Sequence, residues 1–320
     1  MTRPIAKSAN VAARTRRRQG SWSPLRSALI VALLLTCVFS LPTIVDAARS
    51  VLPARGPVAD TTPGQVAGQV TLSGVQPGAC LSFPAGDGHS SKTVFIDPGH
   101  GGLDPGVVGV TGGHQVLEKD VALGVGTRLA TLLRDGGYRV VMSRTKDSSV
   151  MELGPSDTIA GALTASAEHR DLLMRAACAN AGAASVLVSI HFDAFDDPAV
   201  GGTETFYDAE RPFAAENRRL ATDLQTALVA GLGTTNRGVW TDDQLAAPTL
   251  TASGSLYGHL IELGPPAAGW VDNPSQMPGA LVEPLFLTNA AEASLASSSS
   301  GQQRVAAALK TGVEKYLGHP

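Results

Sequence analysis

The sequence predicts an α/β domain built on a single, mostly parallel twisted sheet flanked by helices. Two observations carry that prediction. Short β-branched apolar runs alternate with helix-length segments. One run, Ser185-Val-Leu-Val-Ser-Ile190, is apolar on both sides of the chain, as a central strand covered on both faces must be.

Taken in order, residues 93–97 read as the first strand. Residues 118–135 read as a helix, because Val121, Val125, Leu129, Leu132 and Leu133 recur at steps of about 3.6 and form one buried stripe, with Gly136-Gly137 as the stop. Residues 138–143 return to strand, 169–181 form a second helix, and Gly182 leads into the strand at 185–190. Further strands are expected at 203–207, 256–263 and 280–282. Helices are expected at 214–230, where Leu220, Leu224 and Leu228 fall in register, and at 304–317, on Val305, Leu309, Val313 and Leu317. The stretches 147–168 and 241–256 carry turn formers and little periodicity, so they read as surface insertions near the working face.

Composition narrows the possible roles. With 43% hydrophobic and 17% charged residues, the chain is neither a disordered polymer nor a polytopic membrane protein. Aromatic residues make up only 5% and the net charge is −3, which supplies neither a base-stacking platform nor a basic surface; nucleic acid is not an expected partner.

The ends differ in character. Residues 1–26 carry Arg3, Lys7, Arg14, Arg16, Arg17, Arg18 and Arg26 and no acid. An apolar stretch at 27–39 follows, then Val45-Asp46-Ala47, a small-x-small-like cleavage site. Residues 1–47 therefore read as a signal peptide, or as an N-terminal anchor, although Ser40, Pro42 and Thr43 shorten the apolar part below a comfortable span. The arginine run at 16–18 hints at twin-arginine export. The expected location is the cell envelope, periplasm or wall, or the extracellular space. Residues 48–91, rich in Pro, Gly, Thr and Ser, read as a flexible linker before a domain at 92–318. Export leaves Cys80 and Cys178 as an even pair in an oxidising compartment. Either they join in a disulfide that ties the linker to the domain, or Cys178 is simply a small buried apolar residue.

Several residues carry chemistry. Asp97-Pro98-Gly99-His100-Gly101-Gly102 follows a strand directly, Glu118 opens the next helix, and His191 ends the strand at 185–190. In open α/β sheets, ligand sites gather at the carboxyl ends of strands. Two imidazoles and a carboxylate meeting there are the three protein ligands that a catalytic zinc takes, with a fourth position left for water. Taken singly, Glu118 could merely complement its helix dipole and His191 could be a core histidine; their joint placement argues for a site. Such a site also needs a base that is not a ligand. Glu283, in Met277-Pro-Gly-Ala-Leu-Val-Glu283, is the best candidate, and Glu262, in His259-Leu-Ile-Glu-Leu-Gly264, is its rival. His114 reads as a solvent-facing loop residue and Arg175 as structural, paired with a carboxylate or helix carbonyls. No Gly-x-Ser-x-Gly elbow is present.

In chain order, Asp97–Gly102 with Asp104-Pro105-Gly106, then Leu117-Glu-Lys-Asp-Val121, Gly137-Tyr-Arg-Val-Val-Met-Ser-Arg144, Ser189-Ile-His-Phe-Asp193 and the stretch 281–289 resemble the successive motifs of the zinc-dependent N-acetylmuramoyl-L-alanine amidases of the Amidase_3 family. The resemblance implies that 92–318 is a zinc amidase catalytic domain in which His100, Glu118 and His191 bind Zn2+. It implies further that Glu283 is the catalytic carboxylate, since Glu283 and not Glu262 has the Met-Pro-x-x-Leu-Val before it and the Phe-Leu-x-Asn after it. The activity implied is hydrolysis of the amide between N-acetylmuramic acid and L-alanine in peptidoglycan: zinc acidifies a water, and Glu283 takes its proton and returns it to the leaving amine. Pro284-Leu285 replaces a typically smaller pair, and 147–168 and 241–277 are longer than in the simplest members. The segment 147–168 is where control of access, with or without an activator protein, is expected. Two other readings share the motifs: a catalytically idle wall-binding or activator protein, and a zinc peptidase acting on the stem peptide.

Overall fold

The computed structural model describes residues 68–86 and 92–318. The signal or anchor segment at 1–47 and most of the 48–91 stretch lie outside the described residues. Strands β1 (Gly68–Gln69), β2 (Ala79–Phe83) and β3 (Thr93–Pro98) come first, followed by a hairpin of β4 (Val108–Thr111) and β5 (His114–Leu117), helix α1 (Glu118–Asp135) and β6 (Arg139–Arg144). A short hairpin of β7 (Thr158–Ile159) and β8 (Ala162–Leu163) precedes α2 (Ala165–Ala181), β9 (Val186–Ile190), β10 (Thr203–Tyr207), α3 (Ala214–Leu232) and β11 (Asn236–Thr241). A last hairpin, β12 (Thr249–Leu250) and β13 (Leu256–Tyr257), leads to β14 (Gly279–Glu283), α4 (Ala290–Ser297) and α5 (Ser299–Leu317). Among the described residues no helix is long and apolar enough to cross a membrane.

Eight strands form one sheet in the order β1-β2-β6-β3-β9-β14-β10-β11. The four central strands, β6, β3, β9 and β14, run parallel, as do β10 and β11. The pairs β1–β2, β2–β6 and β14–β10 are antiparallel, so the sheet is mixed, with a parallel centre. That centre is where the β-α-β pattern predicted it.

Alternation along each central strand divides its side chains between two buried faces. Val94, Ile96, Val140, Met142, Val186, Val188 and Ile190 pack toward α1, α3 and α5. Phe95, Val141 and Leu187 pack on the other side, with Cys178 and Ala179 of α2. Each such side chain, fully buried, contributes roughly 1.5–3 kcal/mol. Strands buried on both faces need residues that are apolar throughout, which is why 185–190 shows no alternation in its sequence.

The structure departs from the sequence reading in several places. The described part of the expected linker, 68–86, supplies β1 and β2, and β2 pairs with β6 in the main sheet. Cys80 of β2 and Cys178 of α2 form a disulfide spanning 98 positions, so the bridge joins a strand of the domain to a helix rather than tethering a linker. In the chain-entropy account a loop of that size is worth about 4.7 kcal/mol. Helix α2 starts at Ala165 because the Thr164 hydroxyl accepts from the Ala167 N–H at 3.2 Å. The last helix likewise starts earlier than expected, at Ser299, because Ser298 caps it, and Asn289 caps a separate α4. Residues 258–264 are not strand: the Leu263 and Gly264 N–H groups both close on the Leu260 carbonyl, and the Leu260 N–H donates to Asp242, so this apolar run is bent into a turn. The 147–168 stretch is only partly surface. Val150 is fully buried, and its N–H and that of Met151 donate to Asp171 of α2 at 2.7 and 2.8 Å.

Candidate metal centre

Two strand ends and one helix start build the site. His100 sits two residues beyond β3, Glu118 is the first residue of α1, and His191 follows β9 directly. Because β9 and β3 are parallel neighbours, with Pro98 opposite Ile190, the two histidines leave the sheet at the same edge. The backbone turns sharply there: His100 has φ +60°, and a Cβ on Gly99 would stand 2.3 Å from the His191 ring. Only glycine permits the two imidazoles to approach this closely.

The donor atoms converge. His191 Nδ1 lies 3.1 Å from His100 Nε2 and 3.0 Å from Glu118 Oε1, and His100 Nε2 lies 3.0 Å from the same Glu118 oxygen. Tetrahedral ligands about 2.0–2.2 Å from a zinc ion stand roughly 3.4 Å apart, so a triangle of this size fits one with little adjustment. Hydrogen bonds alone do not account for it. Asp104 Oδ2 lies 2.7 Å from His100 Nδ1 and favours a proton on that nitrogen, so Nε2, which faces the Glu118 carboxylate, is the atom that would give its lone pair to a cation. Glu118 is itself anchored, with Oε2 accepting from the Val107 N–H at 2.7 Å and Oε1 from the Phe192 N–H at 2.9 Å. Burial raises the Glu118 carboxyl pKa, but the two imidazoles outweigh it and hold the group ionised. Burial lowers His100, yet its bonds to Asp104 and Glu118 and their charges prevail and raise it to about 9. A cluster with this much electrostatic demand for positive charge is matched to a cation.

Two buried arginines hold the loop that presents His100. Arg144 donates to the carbonyls of Pro98, Gly99 and Lys119 at 2.8, 2.8 and 2.7 Å. Arg175 binds Asp97 at 2.7 Å and Asp171 at 2.9 and 3.0 Å, and donates to the His100 carbonyl at 2.8 Å. Arg175 therefore has the structural role read from the sequence. His114 is exposed at the start of β5. The sequence reading missed two roles: Asp104 as the partner of His100, and Arg144 as the second clamp on its loop. Asp104 stands four residues after His100 in the same Gly-rich stretch, a spacing that could have suggested the pair.

The two candidate bases occupy different places. Glu283 ends β14 directly beside His191, whose N–H donates to the Val282 carbonyl at 3.0 Å. Its Oε2 is buried without a hydrogen-bond partner among the described residues. Burial first, then the charges of Glu118, Asp193 and Glu204, push the Glu283 carboxyl well above its ordinary pKa. Glu262 lies against Asp97 and Ser189 in the cavity wall, its Oε1 likewise without a hydrogen-bond partner among the described residues, and its pKa is raised by burial and by Asp97. A cavity of about 170 Å³ opens over the cluster, with His100, His191, Asp104, Glu168, Glu262 and Leu163 among its lining residues. Leu163 and Glu168 come from the segment expected to control access, which thus forms part of the cavity wall.

Loss of the Asp104 carboxylate frees the His100 ring to turn and to change tautomer. We expect Asp104→Ala to weaken zinc affinity about 10–100-fold. Competition with a coloured chelator measures this without reference to activity.

A family model described as N-acetylmuramoyl-L-alanine amidase, Amidase_3, matches residues 94–315. The N-acetylmuramoyl-L-alanine amidase LytC of Bacillus subtilis is 32% identical over 225 residues, which cover 70% of this chain but 35% of LytC. The chain thus spans about a third of that relative's length. The germination-specific N-acetylmuramoyl-L-alanine amidase of the same organism is 31% identical over 228 residues, 71% of this chain and 81% of that protein. Among solved structures, the CwlD amidase of Clostridioides difficile in complex with the GerS lipoprotein superposes with a TM-score of 0.55 at 26% identity, covering 71% of this chain and 98% of that one.

Proposed function

The chain belongs to the Amidase_3 family of N-acetylmuramoyl-L-alanine amidases, and from that premise we propose that it hydrolyses the amide between N-acetylmuramic acid and the L-alanine of peptidoglycan stem peptides. In this reading His100, Glu118 and His191 hold Zn2+ and Glu283 is the proton carrier. The observation that carries it is the triangle of donor atoms at 3.0–3.1 Å beneath an open cavity. A zinc ion there supplies Lewis-acid polarisation and an acidified water. The chain supplies the rest. Asp104 fixes the His100 tautomer, while Arg144 and Arg175 hold the loop that presents it. The Glu283 carboxylate, beside His191 and with its Oε2 lacking a hydrogen-bond partner among the described residues, takes up a proton from water and delivers it to the departing alanine nitrogen.

Peptidoglycan is outside the cytoplasm, so the basic and apolar segment at 1–47 is proposed to export or anchor the chain, and the disulfide suits an oxidising compartment. An activator protein is a proposed partner; the CwlD structure described above holds a lipoprotein.

Mass spectrometry of digested peptidoglycan tests the reading. Free stem peptides beginning with alanine are expected. Cuts inside the stem would assign a peptidase, and intact glycopeptides from a zinc-loaded protein would assign a binding role.

A further inference from the structure

A second cluster of donors lies at the other end of the sheet. Strands β10 and β11 are parallel, with Tyr207 opposite Thr241. Each is followed at once by an aspartate, so Asp208 and Asp242 leave adjacent strands in the same register. His259 reaches them from the turn at 258–264. His259 Nδ1 is 3.0 Å from Asp208 Oδ2 and 3.2 Å from Asp242 Oδ1. The three donor atoms all lie within 4.8 Å of one another.

The outer oxygens are fixed by backbone. Asp208 Oδ1 accepts from the Glu210 N–H at 2.8 Å and Asp242 Oδ2 from the Leu260 N–H at 2.9 Å. The inner oxygens are left to face His259. When Nδ1 carries a proton it can serve Asp242 Oδ1, but Asp208 Oδ2, fully enclosed, has no hydrogen-bond partner among the described residues and points into the cluster. The terminal nitrogens of Arg211 donate to the carbonyls of Leu263, Gly264 and Ser275, so Arg211 offers this pair charge but no hydrogen bond from those atoms. On the far side of the ring, Glu210 Oε2 lies 3.6 Å from His259 Nε2, where it can favour a proton on that nitrogen and leave the Nδ1 lone pair free. Two carboxylate oxygens, each tethered through its partner oxygen, and one imidazole nitrogen make a donor set matched to a divalent ion of intermediate softness.

We propose that Asp208, Asp242 and His259 form a second cation site, of the kind that takes Zn2+, which fastens the 241–277 segment to the ends of β10 and β11. The segment carries Leu260, Ile261 and Glu262 into the wall of the cavity described above. The second ion thus acts on the cavity by holding its wall and leaves the chemistry to the first.

Zinc stoichiometry of the full chain, stripped with chelator, reloaded with ZnCl2 and desalted, tests this. Two equivalents per chain are expected for the wild type. His259→Ala and Asp242→Asn should each lose one, and His191→Ala should lose the other. The double variant His191→Ala with His259→Ala should bind none. The His191→Ala protein isolates the second site: if it retains one equivalent that the double variant lacks, the proposal stands whatever the first site does. A wild-type equivalent that His191→Ala abolishes with none remaining, or a His259→Ala protein that binds as much zinc as the wild type, overturns it. The wild-type count needs no variant to fold, and unchanged circular dichroism shows that the variants do.

Discussion

Replacing Glu283 with Gln is expected to lower kcat by about 10²–10⁴-fold, the usual contribution of a positioned acid or base, while zinc stoichiometry stays that of the wild type. The amide is nearly isosteric with the carboxyl group and cannot carry a proton from water to nitrogen. Glu283 is 5% exposed and closely surrounded by other acids, Glu118, Asp193 and Glu204, which raise its proton affinity. A base needs that affinity, and a divalent ion held by His100, Glu118 and His191 would lower it. The contrast is Glu262→Gln. Glu262 already shares a buried site with Asp97, where a neutral amide is tolerated, so this variant should retain far more turnover than Glu283→Gln. Steady-state release of alanine-terminated peptides, with bound zinc measured on the same samples, decides between them. Reversed ranks would transfer the role to Glu262.

The second large effect is on stability. Arg175→Met should destabilise the domain by about 3–5 kcal/mol, since removing one partner of a buried ion pair strands the other. Arg175 is 2% exposed and is shared by Asp97 and Asp171, themselves buried, so the variant leaves two carboxylates without their counter-charge. For a domain of this size, thermal unfolding should fall by roughly 2–4 °C per kcal/mol. A purely structural role would end there. Because Arg175 also donates to the His100 carbonyl, zinc affinity measured well below the unfolding temperature should fall as well. Arg175→Lys should rescue neither fully, because one ammonium cannot span Asp97, Asp171 and a carbonyl as the planar guanidinium does.

The local patterns in the sequence translate into structure well. The stripe from Val121 to Leu133 is α1, and the unbroken apolar run is β9. Both rest on periodicity, which is set by residues a few positions apart. His100, Glu118 and His191 were legible because each falls at a strand end or helix start, and the sheet brings those positions to one edge. Elements begun by a cap rather than a stripe were misplaced: Thr164, Asn289 and Ser298 start helices in stretches of small residues where no periodic face exists. The 256–263 run misled for another reason. Its apolar residues resemble a strand, but the carboxylates of Asp208 and Asp242, distant in the sequence, draw His259 and Leu260 into a turn. Arg144 and Asp104 were named only as parts of motifs, since nothing local says which carbonyl or imidazole an isolated charged residue will meet.

The bridge between Cys80 and Cys178 bears on more than the edge of the sheet. Cys178 lies on α2 three positions after Arg175 and seven after Asp171, so a single rigid rod is bolted at one point to β2 and grips the His100 loop at another. Reducing the bridge is therefore expected to loosen the hold of Arg175 on the His100 loop, seen as weaker zinc affinity after treatment with a thiol reductant.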